Sequence, residues 1–253
     1  MDTNEKLLIV KELSKKYGPE KVLHSLDLEL ASSQVLSILG RSGSGKTTLL
    51  KIIAGLDTAD AGDIFLNQKH INELAPQHRN ILYLYQEALL FPHLNVAENL
   101  AFGLRLRKTP AAVCTQKVTQ MLAELGLSEQ AHKMPEALSG GQRQRVAFGR
   151  ALIVQPQVIL LDEPFGALDA QTRQQMQLLF KKLAQAHQIT AIFVTHDLKE
   201  ALLMGDHLAT LDQGQLKVYP SKAAFIEDAE TGVKAELAFW ESIKNNRPDG
   251  HEN

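Results

Sequence analysis

Cysteine is almost absent from this sequence. Cys114 is the only one among 253 residues, which excludes an intrachain disulfide and a structural zinc site built from cysteines. A reducing cytoplasm suits such a chain. No run approaches the ~20 consecutive apolar residues that a membrane helix requires, so any service to a membrane is expected from one side of it. The first five residues lack the basic segment and apolar stretch of a signal peptide. Charge of one sign is missing too: 27 Lys and Arg against 29 Asp and Glu leave a net charge of −2, with no basic run. Nothing in that balance suggests an electrostatic footprint for nucleic acid, and none is expected as a partner. No repeat of 20 to 50 residues is visible, which removes solenoids and propellers.

What is present is core-forming material, 44% hydrophobic residues beside 22% charged ones. One large domain, or a domain with a subdomain, is expected from that mixture and length. Residues 26–30 alternate apolar and charged, the period of a strand with one wet face, and predict an antiparallel edge sheet. Residues 35–39 form an apolar run ending at Gly40, after which Leu49, Leu50, Ile52 and Ile53 resume at helical spacing. Strand, loop and helix follow in that order. From about 88 to 155 the β-branched runs give way to helical periodicity. Val118, Met121, Leu122 and Leu125 fall on one helix face, so this stretch is expected to be a helical subdomain inserted in the larger unit.

Strand character returns at 158–161 and 190–194, with a helix rich in Gln, Lys and Leu between them. Such alternation predicts a largely parallel sheet with helices on its faces. Residues 223–240 have the pattern of one or two short helices, and the polar end from 245 to 250 has the composition of a frayed terminus. The main unit is expected over 7–230 and a tail over 231–253.

The loop between the 35–39 strand and the helix carries Gly40, Gly45, Lys46 and Thr47, the spacing of a phosphate-binding loop. Glycines let backbone amides and the positive end of the following helix surround phosphate oxygens. Lys46 adds a point charge for the β and γ phosphates, and the short Thr47 hydroxyl suits the shell of a Mg²⁺. The loop as a whole, Gly40, Arg41, Ser42, Gly43, Ser44, Gly45, Lys46, Thr47 and Thr48, is expected to bind the nucleotide. By itself it specifies only a nucleoside triphosphate.

A second chemical pair lies at the end of the 158–161 run, where ligands of α/β sheets gather. Asp162 is placed to hold Mg²⁺ through water. Glu163, pointing the other way by strand alternation, is placed to act as general base on the attacking water.

Leu138, Ser139, Gly140, Gly141 and Gln142 stand before a helical stretch, where Ser139 is also a natural helix cap. With this pentapeptide the chain resembles the ATP-binding cassette family, whose signature it is. Further positions match in the family's order. Tyr17 resembles the aromatic that stacks on adenine, and Gln86 the glutamine that contacts Mg²⁺ and water. Asp169, in Ala167 Leu168 Asp169, resembles the loop that crosses the dimer, and His196 the switch histidine that senses the γ phosphate.

The resemblance implies an α/β fold with a P-loop NTPase core, a mostly parallel sheet, an antiparallel β subdomain and an inserted α-helical subdomain. It implies ATP hydrolysis with ATP and Mg²⁺, at two sites of a head-to-tail dimer of ATP-binding subunits. Lys46, Glu163 and His196 would be the catalytic residues. The implied partners are two integral membrane permease subunits and an extracytoplasmic solute-binding protein. The implied place is the cytoplasmic side, peripheral on the inner face of the plasma membrane.

Leu90 to Leu94 and Asp162 to Asp169 resemble importers for iron, polyamine, molybdate, sulfate or thiamine. The carboxyl-terminal β domain of many such subunits is not expected here. An exporter subunit and a non-transport member of the family remain the alternatives. Leu89, Leu90, Phe91 and Leu94, beside Gln86, either receive a cytoplasmic helix of a membrane subunit or pack locally.

Overall fold

In the computed structural model, which describes residues 6–245, the alternating segment belongs to a long hairpin. β1 (Lys6–Tyr17) and β2 (Glu20–Ala31) pair antiparallel. Leu26, Leu28 and Leu30 turn inward while Asp27 and Glu29 stay exposed, because successive strand residues point to opposite faces. β3 (Val35–Leu39) leaves this sheet, and α1 (Lys46–Ala54) follows the glycine-rich loop. β4 (Ala61–Leu66) and β5 (Lys69–His70) return to the hairpin and complete a four-stranded antiparallel sheet in the order β2-β1-β4-β5.

β6 (Ile81–Leu84) is followed by three helices, α2 (Val96–Leu106), α3 (Ala111–Glu124) and α4 (Gly140–Leu152). The chain then alternates through β7 (Val158–Asp162), α5 (Ala170–Ala186), β8 (Ala191–Thr195), α6 (Leu198–Met204) and β9 (His207–Asp212). β10 (Gln215–Tyr219), α7 (Lys222–Glu227) and α8 (Val233–Asn245) end the described chain. The second sheet has the order β10-β9-β3-β8-β7-β6, with every pair parallel except β9 with β10. The expectations for residues 1–5 and for the polar end from 246 lie outside the described residues.

The second sheet is covered on both faces, which is why β7 and β8 read as unbroken apolar runs rather than alternating ones. One face carries Leu36, Ile38, Leu160, Ile192 and Val194 against α1 and the leucines of the hairpin. The other carries Ile159, Leu161 and Phe193 in one cluster with α4 and α5, while α2 packs on α4 and α3 on α2. Val118, Met121, Leu122 and Leu125 are all buried on that side. Phe148 of α4 lies 5.7 Å from Phe165 and 5.5 Å from Phe180 of α5, ring centre to ring centre. Each large side chain so buried contributes ~1.5–3 kcal/mol.

A third, smaller cluster joins Ala201, Leu208, Tyr219, Phe225 and Val233. The segment expected as a tail from 231 thus opens on buried Thr231 and Val233. No helix among the described residues is long and apolar enough to cross a membrane.

Two buried polar side chains do structural work that patterning does not reveal. Arg79 is 5% exposed and donates to four carbonyls: those of Ile52 and Ile53 in the last turn of α1, at 2.9 and 3.1 Å, and those of Asn72 and Leu74, at 2.7 and 2.8 Å. A cation at a helix carboxyl end also suits the helix dipole. Gly55 makes room for it, since a Cβ there would fall 2.5 Å from Arg79 Nε. Fully buried Asn99 of α2 performs the same service for the segment before its helix. It accepts from the Phe91 amide and donates to the carbonyls of Phe91, Leu94 and Asn95.

Candidate functional site

The carboxyl ends of β3, β6, β7 and β8 lie side by side in the parallel sheet, and the predicted residues follow directly from them. The loop after β3 reaches α1 through Gly43 at φ 82° and Gly45 at φ 104°, a left-handed backbone region open chiefly to glycine. Gly45 is also crowded: a Cβ would lie 2.9 Å from Leu23 Cδ2. The first amides of α1 have no helical partner at this end, so the loop gathers unpaired donors where α1 is electropositive.

Lys46 is 5% exposed and donates to the carbonyls of Gly40 and Arg41 at 2.7 and 2.9 Å. Its ammonium lies 3.7 Å from Glu163 Oε1. Burial pulls its pKa below the usual lysine range, and the charges of Glu163 and Asp162 oppose that pull. Thr47 donates to Asp162 Oδ1 at 3.1 Å. His196, most of whose side chain is exposed, sets Nδ1 2.7 Å from Glu163 Oε2. Lys46, Thr47, Asp162, Glu163 and His196 therefore form one connected group.

The two carboxylates diverge for a different reason than strand alternation. β7 ends at Asp162, and Glu163 takes φ 45°, a left-handed conformation that costs a non-glycine residue ~1–2 kcal/mol. This turn, not a continuing strand, aims Glu163 at Lys46 and His196. Gln86 is exposed beside the same turn, its amide so close that a Cβ on Gly166 would lie 2.8 Å from Nε2.

Tyr17 ends β1 and is 47% exposed. Its hydroxyl donates to Asp57, and the Lys15 ammonium stands 5.0 Å from the ring centre. The hydrogen bond to Asp57, followed by burial, raises the phenol's pKa, against which the neighbouring Thr48 hydroxyl acts.

Ser139 caps α4 in a reciprocal capping box with Gln142, accepting from its amide at 3.2 Å while the Gln142 side chain accepts from the Ser139 amide at 3.0 Å. Asp169 caps α5 through the Thr172 amide at 3.0 Å, and its hydrogen bonds to Thr172 hold its carboxyl below the usual range. The two helix starts adjoin, because a Cβ on Gly141 would touch Thr172 Cγ2 at 2.7 Å. Among the described residues, no hydrogen bond or ion pair joins Ser139, Gly140, Gly141 or Gln142 to the Lys46 group. Inside one chain the candidate residues make two separate clusters, linked at a distance by buried Gln144 of α4, which donates to the Pro164 carbonyl at 2.8 Å.

Two contributors were not visible in the sequence. Tyr83 of β6 donates to Asp162 Oδ2 at 2.6 Å, and burial followed by that bond pushes its pKa up. Glu200 of α6, 5% exposed, accepts from Thr195 Oγ1 at 2.7 Å and from Gln177 of α5 at 3.0 Å. The Thr195 hydroxyl also accepts from the Asp197 amide at 3.0 Å, so the turn bearing His196 is anchored to α5 through a buried carboxyl. The only local signal for Glu200 was an acidic residue three places after the capping Asp197, and that is ordinary in a first helical turn.

Burial raises the Glu200 pKa most, the Thr195 bond opposes it, and the Asp197 charge adds to the rise. A raised value means that the folded chain takes up this proton more readily than the unfolded one. The resulting stabilisation is complete below the usual 4.5 and is lost as pH rises through the folded value. Lowering pH from 7 should therefore increase the stability of the natural chain relative to Glu200→Gln, read by chemical denaturation at several pH values. A difference that stays flat with pH would count against a carboxyl penalised by burial.

The ABC transporter family model matches residues 23–166. The chain is 43% identical over 213 residues to the spermidine/putrescine import ATP-binding protein PotA of Clostridioides difficile, covering 84% of this chain and 61% of that one. It is 42% identical over 210 residues to the sulfate/thiosulfate import ATP-binding protein CysA of Thermosynechococcus vestitus, covering 83% and 62%. A CysA of Nocardia farcinica gives 42% over 211 residues, covering 83% and 64%. The chain thus spans about three fifths of the length of these curated relatives. A family match over more than half of the chain, joined to a glycine-rich loop and an acidic strand end that meet in space, establishes that the chain belongs to the ABC transporter family.

Proposed function

We propose that this chain is the ATP-hydrolysing subunit of an ABC importer, working as a head-to-tail dimer on the inner face of the plasma membrane. It would drive a solute, delivered by an extracytoplasmic binding protein, through two separate membrane permease subunits. The meeting of Lys46, Thr47, Asp162, Glu163 and His196 at the strand ends is the main support. Relatives named for polyamine import and for sulfate/thiosulfate import match about equally well.

The chemistry assigned to each residue follows from its surroundings. Backbone amides from Gly40 to Thr48 and the Lys46 ammonium bind the β and γ phosphates, and the half-exposed Tyr17 ring stacks on adenine. Glu163 accepts a proton from the attacking water, and His196 holds its second oxygen. Phosphoryl transfer asks for positioning and charge neutralisation rather than covalent chemistry from the protein.

Hard oxygen donors from Thr47 and Asp162, 3.1 Å apart, fit Mg²⁺, with Gln86 as a further contact. An Mg²⁺ held there would complete its shell with water and phosphate oxygens. Bound there, Mg²⁺ would offset charge on the phosphate oxygens. The exposed Leu89 and the segment after it would face a membrane subunit. Phe91 in that segment already packs at 4.2 Å on Phe102 and lies 4.9 Å from the Arg150 guanidinium.

Ser139 to Gln142 would complete the site of the opposite subunit, since they stand apart from the Lys46 group in their own chain. A mixed dimer tests this, with one chain carrying Lys46→Ala, the other Ser139→Arg, and separate affinity tags. Sites formed in trans place both defects in one site and leave the other whole. The mixed dimer should then trap one Mg²⁺-ATP under conditions where neither variant homodimer does. No more trapping than in the two parents would rule out the composite site.

A further inference from the structure

Tyr83 has no part in the chemistry above, yet it touches one of the residues that does. It sits on β6, the edge strand of the six-stranded sheet, in register with Leu160 of β7. Its ring joins the face that carries Leu160 and α1 and lies 4.6 Å from the ring of Tyr85. Asp162 lies two residues beyond Leu160, on the same face by strand alternation.

The two oxygens of Asp162 are thereby distinguished. Oδ2 accepts from the Tyr83 hydroxyl at 2.6 Å, and Oδ1 accepts from Thr47 at 3.1 Å. The terminal torsion of an aspartate is broad and nearly two-fold, so an unrestrained carboxylate presents either oxygen. A phenol fixed by a strand and by core packing removes that freedom. Its short bond to an ionised acceptor also belongs to the stronger class of hydrogen bond.

We propose that Tyr83 is a positioning residue of the metal site, holding Oδ2 of Asp162 so that Oδ1 stays turned toward Thr47 and Mg²⁺. The inference rests on the assignment of Asp162 to the metal made above. Partners that orient a metal ligand from behind typically change metal affinity by ~10–100-fold when removed.

The test is a Mg²⁺ titration of ATP binding to the full chain, with a parallel measurement of ATP affinity in EDTA. Tyr83→Phe keeps the ring and its packing. It should raise the Mg²⁺ concentration for half-maximal binding by about tenfold while leaving the chain folded and the EDTA affinity unchanged. Tyr83→Leu, which also lacks the donor, should give the same shift. In an Asp162→Asn background, Tyr83→Phe should add little.

An unaltered Mg²⁺ dependence in Tyr83→Phe beside a lost one in Asp162→Asn overturns the role of Tyr83 and leaves that of Asp162 standing. A natural Mg²⁺ dependence in Asp162→Asn overturns the metal assignment, and this inference with it. A shift seen with leucine alone, or an equal loss of affinity in EDTA, assigns the effect to packing and overturns the proposal.

Discussion

Glu163→Gln is expected to lower steady-state phosphate release by about 10²–10⁴ while nucleotide binding persists. Glutamine has the size of glutamate but cannot accept the proton of the attacking water. Binding should survive because the Lys46 ammonium keeps its two carbonyl acceptors, Gly40 and Arg41, and the loop glycines owe nothing to Glu163. The left-handed turn at Glu163 is equally available to glutamine, so the backbone is not disturbed. Phosphate release measured beside ATP binding decides the matter. Near-normal turnover in the variant would remove Glu163 as the base, whereas a joint loss of binding and turnover would make it a structural residue.

Arg79→Met should have the largest effect on stability. Methionine fills most of the same space but donates nothing, which leaves the carbonyls of Ile52, Ile53, Asn72 and Leu74 without this partner. A buried polar group deprived of its bond costs ~1–3 kcal/mol. Even if entering water satisfies half of the four, a loss of at least ~2 kcal/mol is expected in the unfolding free energy from denaturant titration. Because the last turn of α1 is one of the affected elements, nucleotide affinity should fall with it. A variant as stable as the natural chain would show that the guanidinium is not what holds that turn.

The residues legible in the sequence are those whose chemistry is fixed by short spacing. Gly40, Gly45, Lys46 and Thr47 span one loop, Asp162 and Glu163 are neighbours, and Ser139 and Gln142 lie one helical turn apart. Strand parity also survived reading at 26–30, because one face of that strand is wet. Parity failed one residue later than β7 allows: the strand stops at Asp162, and nothing in a run of apolar residues followed by two acids announces a left-handed turn. Tyr83, Arg79 and Glu200 were missed for a shared reason. Their partners lie 79 residues away for Tyr83, 26 and 27 for the α1 carbonyls of Arg79, and 23 for Gln177 beside Glu200. Such pairings depend on which strands become neighbours, and strand order is set by the tertiary fold. Only a half-apolar tyrosine in a short strand hinted at a polar duty there, and tyrosines of that kind are common.

The aromatic slot between α4 and α5 limits how the helical part of the chain can behave. Phe148 meets Phe165 and Phe180, and Phe165 meets Phe193 of β8, so residues from the insertion and from the parallel sheet fill the same interior. Helices 96–152 therefore share part of their core with the sheet. Cut free, they would present the Phe148 ring to water, so their stability is tied to that of the sheet. Whatever displacement they undergo while attached must be a sliding of packed surfaces over those rings, small in amplitude, since a larger separation would open a void that close-packed interiors do not tolerate.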